Sequence, residues 1–321
     1  MKIKALIGYW LVALALGGLA TGAAAQPYPT QKITLLVAFA PGGVADTVAR
    51  LVGQGLGERL KQSVVVENHG GAGGNIAAAM AARTPADGYT LLVTTTALAI
   101  NETLREQKPF SAQDFATVAI VASSPESLIV NPDNPAKTLG DLIKSGKPIN
   151  FGSAGVGSGS HIMAEYFFKT IAKIPAQHIP FQGGAPATNA LLGNQIDVLA
   201  TTLGGGAAAQ IAAGKLKGLG IASERRVTAT PDVPTFTEAG YRNFYAASWV
   251  GFFAPAKTDP KTIASLNEAI NEAVKSPAVR ERLAAIGFDP IAGSPSQAQA
   301  LFEGEIRKWG AMVKALGITV K

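Results

Sequence analysis

The stretch that decides the fold is Ile33-Thr-Leu-Leu-Val-Ala-Phe39, followed directly by Ala40-Pro-Gly-Gly-Val-Ala-Asp46. The first part is an unbroken apolar run of strand length, which is typical of a strand covered on both faces. The Pro-Gly-Gly of residues 41–43 breaks this run, and from Asp46 apolar residues recur at helical spacing. A strand, a glycine turn and a helix N-terminus in succession bring free backbone N–H groups together, so this stretch predicts an anion site.

The same alternation of apolar runs and glycine-rich turns continues along the chain. Strands are predicted at Ser63–Glu67 and Thr90–Thr96, with the glycine-rich segment Asn68–Asn75 leading into a helix between them. A second series begins at Ile149–Phe151 with the loop Gly152–Ser160 after it. Such βαβ alternation predicts parallel strands with right-handed crossovers and an α/β fold.

Two crossings between lobes are predicted from the interruptions in this pattern. Short strands are predicted at Val118–Val121 and Leu128–Val130, on either side of Pro125. Asn131-Pro132 and Asn134-Pro135 then interrupt the chain and mark the first crossing, and the strand Ser248–Pro255 returns the chain to the first lobe. Helices that start near Pro260, Pro277 and Pro295 have no sheet of their own, so we expect them to pack on the first lobe. Lobe 1 is therefore assigned to residues 26–124 and 249–321, and lobe 2 to residues 125–248.

The N-terminus predicts a signal peptide over residues 1–25. Lys2 and Lys4 precede an apolar segment, Ala5–Ala20, and Ala23-Ala24-Ala25 has the small residues of a cleavage site. A membrane anchor is the alternative, but the apolar segment is short for a span and Gly17-Gly18 interrupts it. We therefore expect cleavage near Ala25 and a periplasmic mature chain.

Composition favours a small anion as the partner and argues against nucleic acid. The chain has 28 Lys plus Arg against 22 Asp plus Glu and no cysteine, and it lacks a basic run with interleaved aromatic residues. Its three histidines, His69, His161 and His178, are too scattered to suggest a metal set. No cofactor and no metal are expected.

Several motifs, taken in order, resemble those of one family. They are Phe39–Asp46 with Ala49-Arg50, Val65–Asn68 with Gly71–Asn75, Asp87-Gly-Tyr89, Gly152–Gly155, Gly193 with Gln195–Asp197, Pro231–Pro234 and Glu238–Gly240. Across the whole mature chain they resemble the Bug (TctC-type) family, the extracytoplasmic receptors of tripartite tricarboxylate transporters. Three places depart from the family pattern: His69 replaces a usual Arg, the segment before Ile149 is short, and Thr201–Gly206 replaces a stretch that often carries Asn and Pro.

The resemblance implies a two-lobed periplasmic binding protein fold (type II-like). Two mixed or parallel sheets flanked by helices would then enclose a ligand cleft. It also implies a monomer that closes on a small carboxylate and delivers it to the permease subunits of a tripartite transporter. The loops Phe39–Asp46 and Ser153–His161 would hold the carboxylate through backbone amides and waters. The expected ligand-binding residues are Phe39, Ala40, Gly42, Gly43, Val44, Asp46, Thr47, Ser153, Ala154, Gly157, Ser158, His161 and Thr201.

Individual side chains in these loops have competing interpretations. Asp46 would repel an anionic ligand, so capping of the helix N-terminus is favoured over ligand contact. For Arg50, a solvated or structural ion pair is favoured over ligand contact. Trp249, Phe252 and Phe253 are expected to pack in the core or hinge, with an aromatic wall of the cleft as the alternative. For His161, donation to an anion and a purely structural role in the first helical turn both stay open.

The sequence offers little for catalysis. None of its glycine loops has a nucleophile elbow, a Walker A pattern or a G-x-G-x-x-G pattern, and there is no cysteine. A binding protein rather than an enzyme is therefore predicted. One alternative is a periplasmic carboxylate sensor that feeds a signalling system. Another is a hydrolase that uses Ser158 of the serine loop, which the missing base disfavours.

Overall fold

The computed structural model describes residues 28–204 and 206–320, so the predicted signal peptide at residues 1–25 lies outside the described residues. The strands are β1 Ile33–Val37, β2 Val64–Asn68, β3 Thr90–Thr95, β4 Phe115–Val130, β5 Ile149–Ser153, β6 Ala176–Pro180, β7 Val198–Thr202, β8 Lys217–Ile221, β9 Ala247–Pro255 and β10 Asp289–Pro290. The α-helices are α1 Val44–Leu60, α2 Asn75–Ala81, α3 Ala97–Leu104, α4 Leu139–Lys144, α5 Gly159–Tyr166, α6 Gly184–Leu192, α7 Ala207–Ala212, α8 Pro260–Lys275, α9 Pro277–Ala285 and α10 Pro295–Leu316.

The strands form a mixed sheet in the order β2-β1-β3-β9-β4-β7-β5-β6, with β8 and β10 also paired to β4. Strand β1 runs parallel to β2 and β3, and β5 runs parallel to β6 and β7. Strands β9 and β4 pair antiparallel with each other and lie between these two parallel groups. The predicted α/β class with two parallel series is confirmed, and the arrangement is consistent with two lobes.

Strand β4 corrects one prediction. The two short strands expected at Val118–Val121 and Leu128–Val130 are parts of one strand that runs from Phe115 to Val130. Pro125 does not break it, because the strand exchanges partners there: pairing with β9 ends at Pro125 and pairing with β7 begins at Glu126. A proline at such an exchange can be accommodated without disrupting a continuous ladder.

The C-terminal helices begin where their prolines predict. Pro260, Pro277 and Pro295 each occupy the first helical turn, and the side chains of Asp259, Ser276 and Ser294 accept hydrogen bonds from amides of that turn. These caps satisfy N–H groups that have no acceptor within the helix. Proline at the first helical position and a capping side chain before it therefore fix three helix starts from local sequence alone.

The helices after β9 do not all pack in the same place. Helix α8 lies against α1, where Arg59 and Glu272 form an ion pair. Helix α10 instead contributes Trp309 and Val313 to the hydrophobic cluster that contains Phe151 and Phe167. Residues of both predicted lobes therefore share one apolar cluster, and the lobe boundaries stay a prediction.

Candidate functional site

A cavity lies where the carboxyl ends of β1, β3, β5 and β7 meet the middle of β4. In open α/β sheets, ligands bind outside the carboxyl ends of the strands. The cavity is lined by Phe39, Gly43, Val44, Ala45, Thr95, Glu126, Ala154, Ser158, Gly159, Ser160, Gly184, Thr201, Thr202 and Ser248.

The first wall of the cavity is the loop between β1 and α1. Gly43 is the N-cap residue of α1 and has extended backbone angles. Its neighbours Val44 and Ala45 form the first turn of the helix and line the cavity with it. The Asn68 side chain donates to the Phe39 carbonyl at 3.0 Å and holds the start of the loop. The predicted strand, turn and helix N-terminus are therefore present at the cavity.

The capping hypothesis for Asp46 is wrong, because Asp46 is not the N-cap residue of α1. The N-cap is Gly43, and Asp46 is the third residue of α1, where its Oδ2 accepts a hydrogen bond from the Gly42 amide at 2.9 Å. Arg50 forms an ion pair with it at 2.9 Å, which confirms the structural role expected for that arginine. Burial would raise the pKa of Asp46, but the hydrogen bonds from Arg50, the Gly42 amide and Asn68 outweigh it and hold the pKa below its usual value.

The second wall is the loop between β5 and α5, and its N-cap is Ser158. The Ser158 hydroxyl donates to the Gly155 carbonyl at 2.7 Å and accepts from the His161 amide at 3.2 Å. Gly159 and Ser160 follow as the first two helical residues and also line the cavity. The hydrogen bonds of the Ser158 hydroxyl go to backbone groups and to the Ser160 hydroxyl, without an imidazole partner among the described residues.

Two histidines contact this loop without lining the cavity. The His161 ring stacks on the His178 ring with centroids 4.0 Å apart, and Ser153 Oγ is hydrogen-bonded to His178 Nε2 at 2.6 Å. His161 Nδ1 accepts from the Gly157 amide at 3.2 Å. Burial lowers the pKa of His161 to about 4, and burial with the nearby His161 lowers the pKa of His178 to about 3. Both rings are therefore neutral near pH 7, and His161 acts on the loop through its backbone contact.

A third helix N-terminus reaches the same cavity. Helix α6 begins at Gly184, which lines the cavity beside Thr201. The first N–H groups of each α-helix lack an acceptor within the helix, and the helix dipole makes this end partially positive. The starts of α1, α5 and α6 therefore converge on one cavity and form a site suited to an anion without a cationic side chain.

The cavity contains some of the predicted ligand-binding residues and not others. Those that line it are Phe39, Gly43, Val44, Ala154, Ser158 and Thr201. Gly42 lines a neighbouring cavity, and the Thr47 hydroxyl donates within its own helix to the Gly43 carbonyl. Ala40, Asp46, Ser153, Gly157 and His161 lie in the loops but outside the lining. The ligand contacts themselves stay a prediction.

The cavity also contains residues that sequence reasoning missed, and Glu126 is the most unusual of them. Its side chain is fully buried, and its Oε1 accepts from the Thr202 hydroxyl at 3.3 Å. Burial raises the pKa of Glu126 to about 8, against a smaller lowering by Thr202. Thr95, Thr202 and Ser248 are the other polar side chains missed here. Only the partner exchange of β4 places Glu126 at the cavity, and no local pattern signals it.

Other kinds of site receive no support from the described residues. They include no group of three His, Cys, Asp or Glu side chains able to hold a metal ion. Within the same residues, every helix is too short or too polar to cross a bilayer.

The sequence and the fold match proteins of known type. The family model of the tripartite tricarboxylate transporter family receptor matches residues 48–318. Protein BugT of Bordetella pertussis is 36% identical over 330 aligned positions, which cover 100% of this chain and 99% of BugT.

Solved structures of similar proteins have the same fold. The periplasmic binding protein BugD superposes with a TM-score of 0.87 at 29% identity, covering 92% of this chain and 100% of BugD. R. palustris Rpa4515 with adipate gives 0.87 at 32% identity, covering 91% and 99%. MatC from Rhodopseudomonas palustris with bound malate gives 0.83 at 31% identity, covering 89% and 100%. These are binding proteins rather than enzymes, which confirms the class predicted from the sequence.

The matched region covers most of the chain. It begins within α1, after the first loop of the cavity, and it includes the second loop and the C-terminal helices. The chain therefore belongs to the Bug (TctC-type) family of periplasmic binding proteins, the receptors of the tripartite tricarboxylate transporter family.

Proposed function

We propose that this protein is a periplasmic receptor that closes around a small carboxylate and delivers it to the membrane subunits of a tripartite transporter. The convergence of three helix N-termini on one cavity carries the proposal, because amides and hydroxyls can bind a carboxylate by charge-assisted hydrogen bonds. The adipate and malate in the structures of Rpa4515 and MatC support a carboxylate as the ligand.

Closure is supported by the close contact between the second loop and α3. Gly157, in the second loop, lies so close to α3 that a Cβ atom there would be 2.5 Å from Asn101 Oδ1, and its φ of +82° also disfavours a side chain. Asn101 in turn donates to the Gly73 carbonyl at 3.2 Å. We expect Gly157→Ala to prevent this close approach and to weaken ligand binding while the rest of the fold is retained.

Binding is tested first with adipate and malate, by thermal shift and then by calorimetry. A ligand that binds only the native state raises the apparent melting temperature. A matched pair of variants then tests the site: Gly43→Asp against Gly43→Asn. Both side chains are good N-caps, so both variants should fold, but the Asp variant places a negative charge at the cavity.

The expected loss of affinity is about 100-fold for Gly43→Asp and much smaller for Gly43→Asn, because like charges in one site repel by several kcal/mol. Ser158→Asp and Ser158→Asn form an equivalent pair at the second loop, since both keep an acceptor for the His161 amide. Equal affinities within each pair would remove these helix N-termini from the ligand site.

Delivery needs a separate measurement. Deletion of the receptor gene should abolish uptake of the radiolabelled ligand, and the wild-type chain should restore it while Gly43→Asp should not. A sensor would give a different result: deletion would leave uptake intact and would remove the transcriptional response to the ligand.

A further inference from the structure

Glu126 is a buried carboxyl group whose role the anion site does not explain. Its side chain is 0% exposed, and among the described residues that line the cavity it carries the one ionisable side chain. In its ionised form a carboxyl group beside an anion site would repel the ligand, so the helix N-termini alone do not account for this group.

Half of this carboxyl group lacks a partner. The Thr202 hydroxyl donates to Oε1, and the start of α5 is so close that a Cβ atom on Gly159 would lie 2.5 Å from the same oxygen. Oε2 is buried and has no hydrogen-bond partner among the described residues. The nearby hydroxyls of Thr96 and Ser248 are hydrogen-bonded to each other at 3.1 Å.

No cation among the described residues compensates Glu126. The elements packed against it present hydroxyls and backbone: Thr95 at the end of β3 and Thr96 after it, Ser158 to Ser160 at α5, Thr202 on β7 and Ser248 on β9. The ion pairs of the described residues lie elsewhere, such as Arg50 with Asp46 and Lys169 with Glu165. His161, the nearest imidazole along α5, is engaged with the Gly157 amide and the His178 ring.

Resting on the proposed function, we propose that Glu126 binds a protonated amino group of the ligand, so that the receptor is specific for amino-carboxylates. The helix N-termini would take the ligand carboxylate, and Oε2 of Glu126 would accept from the ammonium group. The Thr202 hydroxyl and the start of α5 both favour the ionised form of Glu126, so a cation is the component that completes the site. A second ligand carboxylate would have to share a single proton with Glu126.

This binding mode predicts a proton balance. Burial raises the pKa of Glu126 to about 8, so the free receptor holds a proton there at pH 7. When the ammonium group binds, the Glu126 O–H bond breaks, the proton leaves to solvent, and the carboxylate pairs with the cation. Binding at pH 7 should therefore release about one proton.

The experiment uses matched ligand pairs that differ by the amino group: 2-aminoadipate against adipate, and aspartate against malate. Calorimetry at pH 7 in two buffers of different ionisation enthalpy measures affinity and proton release together. We expect the amino ligand of at least one pair to bind about 10-fold to 100-fold more tightly, as is typical of a hydrogen bond to a charged group, with release of about one proton.

Glu126→Gln should abolish both the preference and the proton release. Glu165→Gln is the control, since it removes a buried carboxylate that already has Lys169 as its partner, and it should keep both. Thermal melting verifies that each variant is folded. If Glu126→Gln did not fold, the ligand preference and the proton release of the wild-type protein would still test whether Glu126 binds an ammonium group.

Several outcomes would overturn the inference while the proposed function stands. They are equal or tighter binding of adipate and malate, the absence of proton release, or an unchanged preference in Glu126→Gln. Tighter binding of the dicarboxylates with proton uptake at pH 8 to 9 would instead make Glu126 a donor to a second carboxylate. If carboxylates of neither kind bind the wild-type protein, the proposed function fails and this inference fails with it.

Discussion

Asp46 at the start of α1 and Glu126 in the middle of β4 each carry a buried carboxyl group beside the cavity. Their pKa values are shifted in opposite directions. Asp46 has an arginine, a backbone amide and an asparagine as partners, and its pKa is lowered. Glu126 has one hydroxyl as its partner, and burial raises its pKa to about 8. Burial acts in the same direction on both, so the partners decide the difference.

Asp46 therefore holds the backbone of the site in place, whereas Glu126 is available to the ligand. Asp46 Oδ2 accepts hydrogen bonds from the Gly42 amide and from Arg50, and Arg50 also forms an ion pair with Oδ1, so these contacts fix the backbone that presents the helix N-terminus. Glu126 keeps one oxygen without a partner among the described residues.

The largest effect is expected from Glu126→Gln at alkaline pH. The native pKa of Glu126 is raised above its unfolded value of 4.5, so only the unfolded chain loses this proton between about pH 4.5 and pH 8, and stability falls as the pH rises through that range. At about 1.4 kcal/mol per pH unit, the wild-type protein should lose roughly 4 kcal/mol relative to Glu126→Gln between pH 5 and pH 8.

Urea unfolding of both proteins at pH 5 and pH 8 measures this difference, and Glu165→Gln is the control for loss of a buried carboxylate. Parallel pH profiles for the wild type and Glu126→Gln would show that Glu126 is ionised in the native state without a ligand, and the contrast with Asp46 would be lost.

Asp46→Asn should have a smaller effect of opposite pH dependence. The amide keeps an acceptor for the Gly42 N–H but removes the charge that pairs with Arg50. Because the native pKa of Asp46 is lowered, its contribution is present above the unfolded pKa of about 4 and is lost as the pH falls through the native value. We expect Asp46→Asn to cost about 1–2 kcal/mol at pH 7 and little at pH 3. A cost that is the same at both pH values would assign the effect to packing.

The sequence predicts the place of Asp46 in the fold better than that of Glu126. The place of Asp46 depends on local interactions, whereas that of Glu126 depends on strands far apart in the sequence. The strand, the glycine turn and α1 are local features, as are the helix starts at Pro260, Pro277 and Pro295, and all were predicted. Glu126 reaches the cavity only because β4 exchanges partners at Pro125, which depends on strands far along the chain.

Other features of the structure were not predicted, either because they also depend on long-range contacts or because the local sequence carries no signal for them. Helix α3 was not predicted because Ala97–Leu104 follows β3 without a glycine or proline to mark its start. Thr95 and Ser248 reach the cavity through the antiparallel pairing of β3 with β9, which the single sequence does not specify. The convergence of the α6 N-terminus with the other two is likewise a tertiary property.

Thr202→Val should increase the difference in pKa between Glu126 and Asp46, because it removes the one hydrogen bond that Glu126 accepts from a side chain. The hydroxyl lowers the pKa of Glu126, so its loss should raise that pKa further and extend the pH range over which stability falls. The cost at pH 7 should be about 1 kcal/mol. The same change in the Glu126→Gln background tests whether this cost belongs to the pair, since additive effects would mean that the two side chains are not coupled.

Arg50→Gln should have the smallest effect, because the Arg50 side chain is 54% exposed and exposed ion pairs contribute less than about 1 kcal/mol. After the substitution the Gly42 amide and Asn68 still hold Asp46, so Asp46 should stay ionised at pH 7, with acid unfolding shifted to slightly higher pH. Urea unfolding at low salt and at 1 M salt should show the difference from wild type only at low salt, since salt screens exposed pairs. A loss as large as that of Asp46→Asn would mean that the cation rather than the hydrogen bonds keeps Asp46 charged. The difference in pKa between Asp46 and Glu126 would then be due to Arg50 alone.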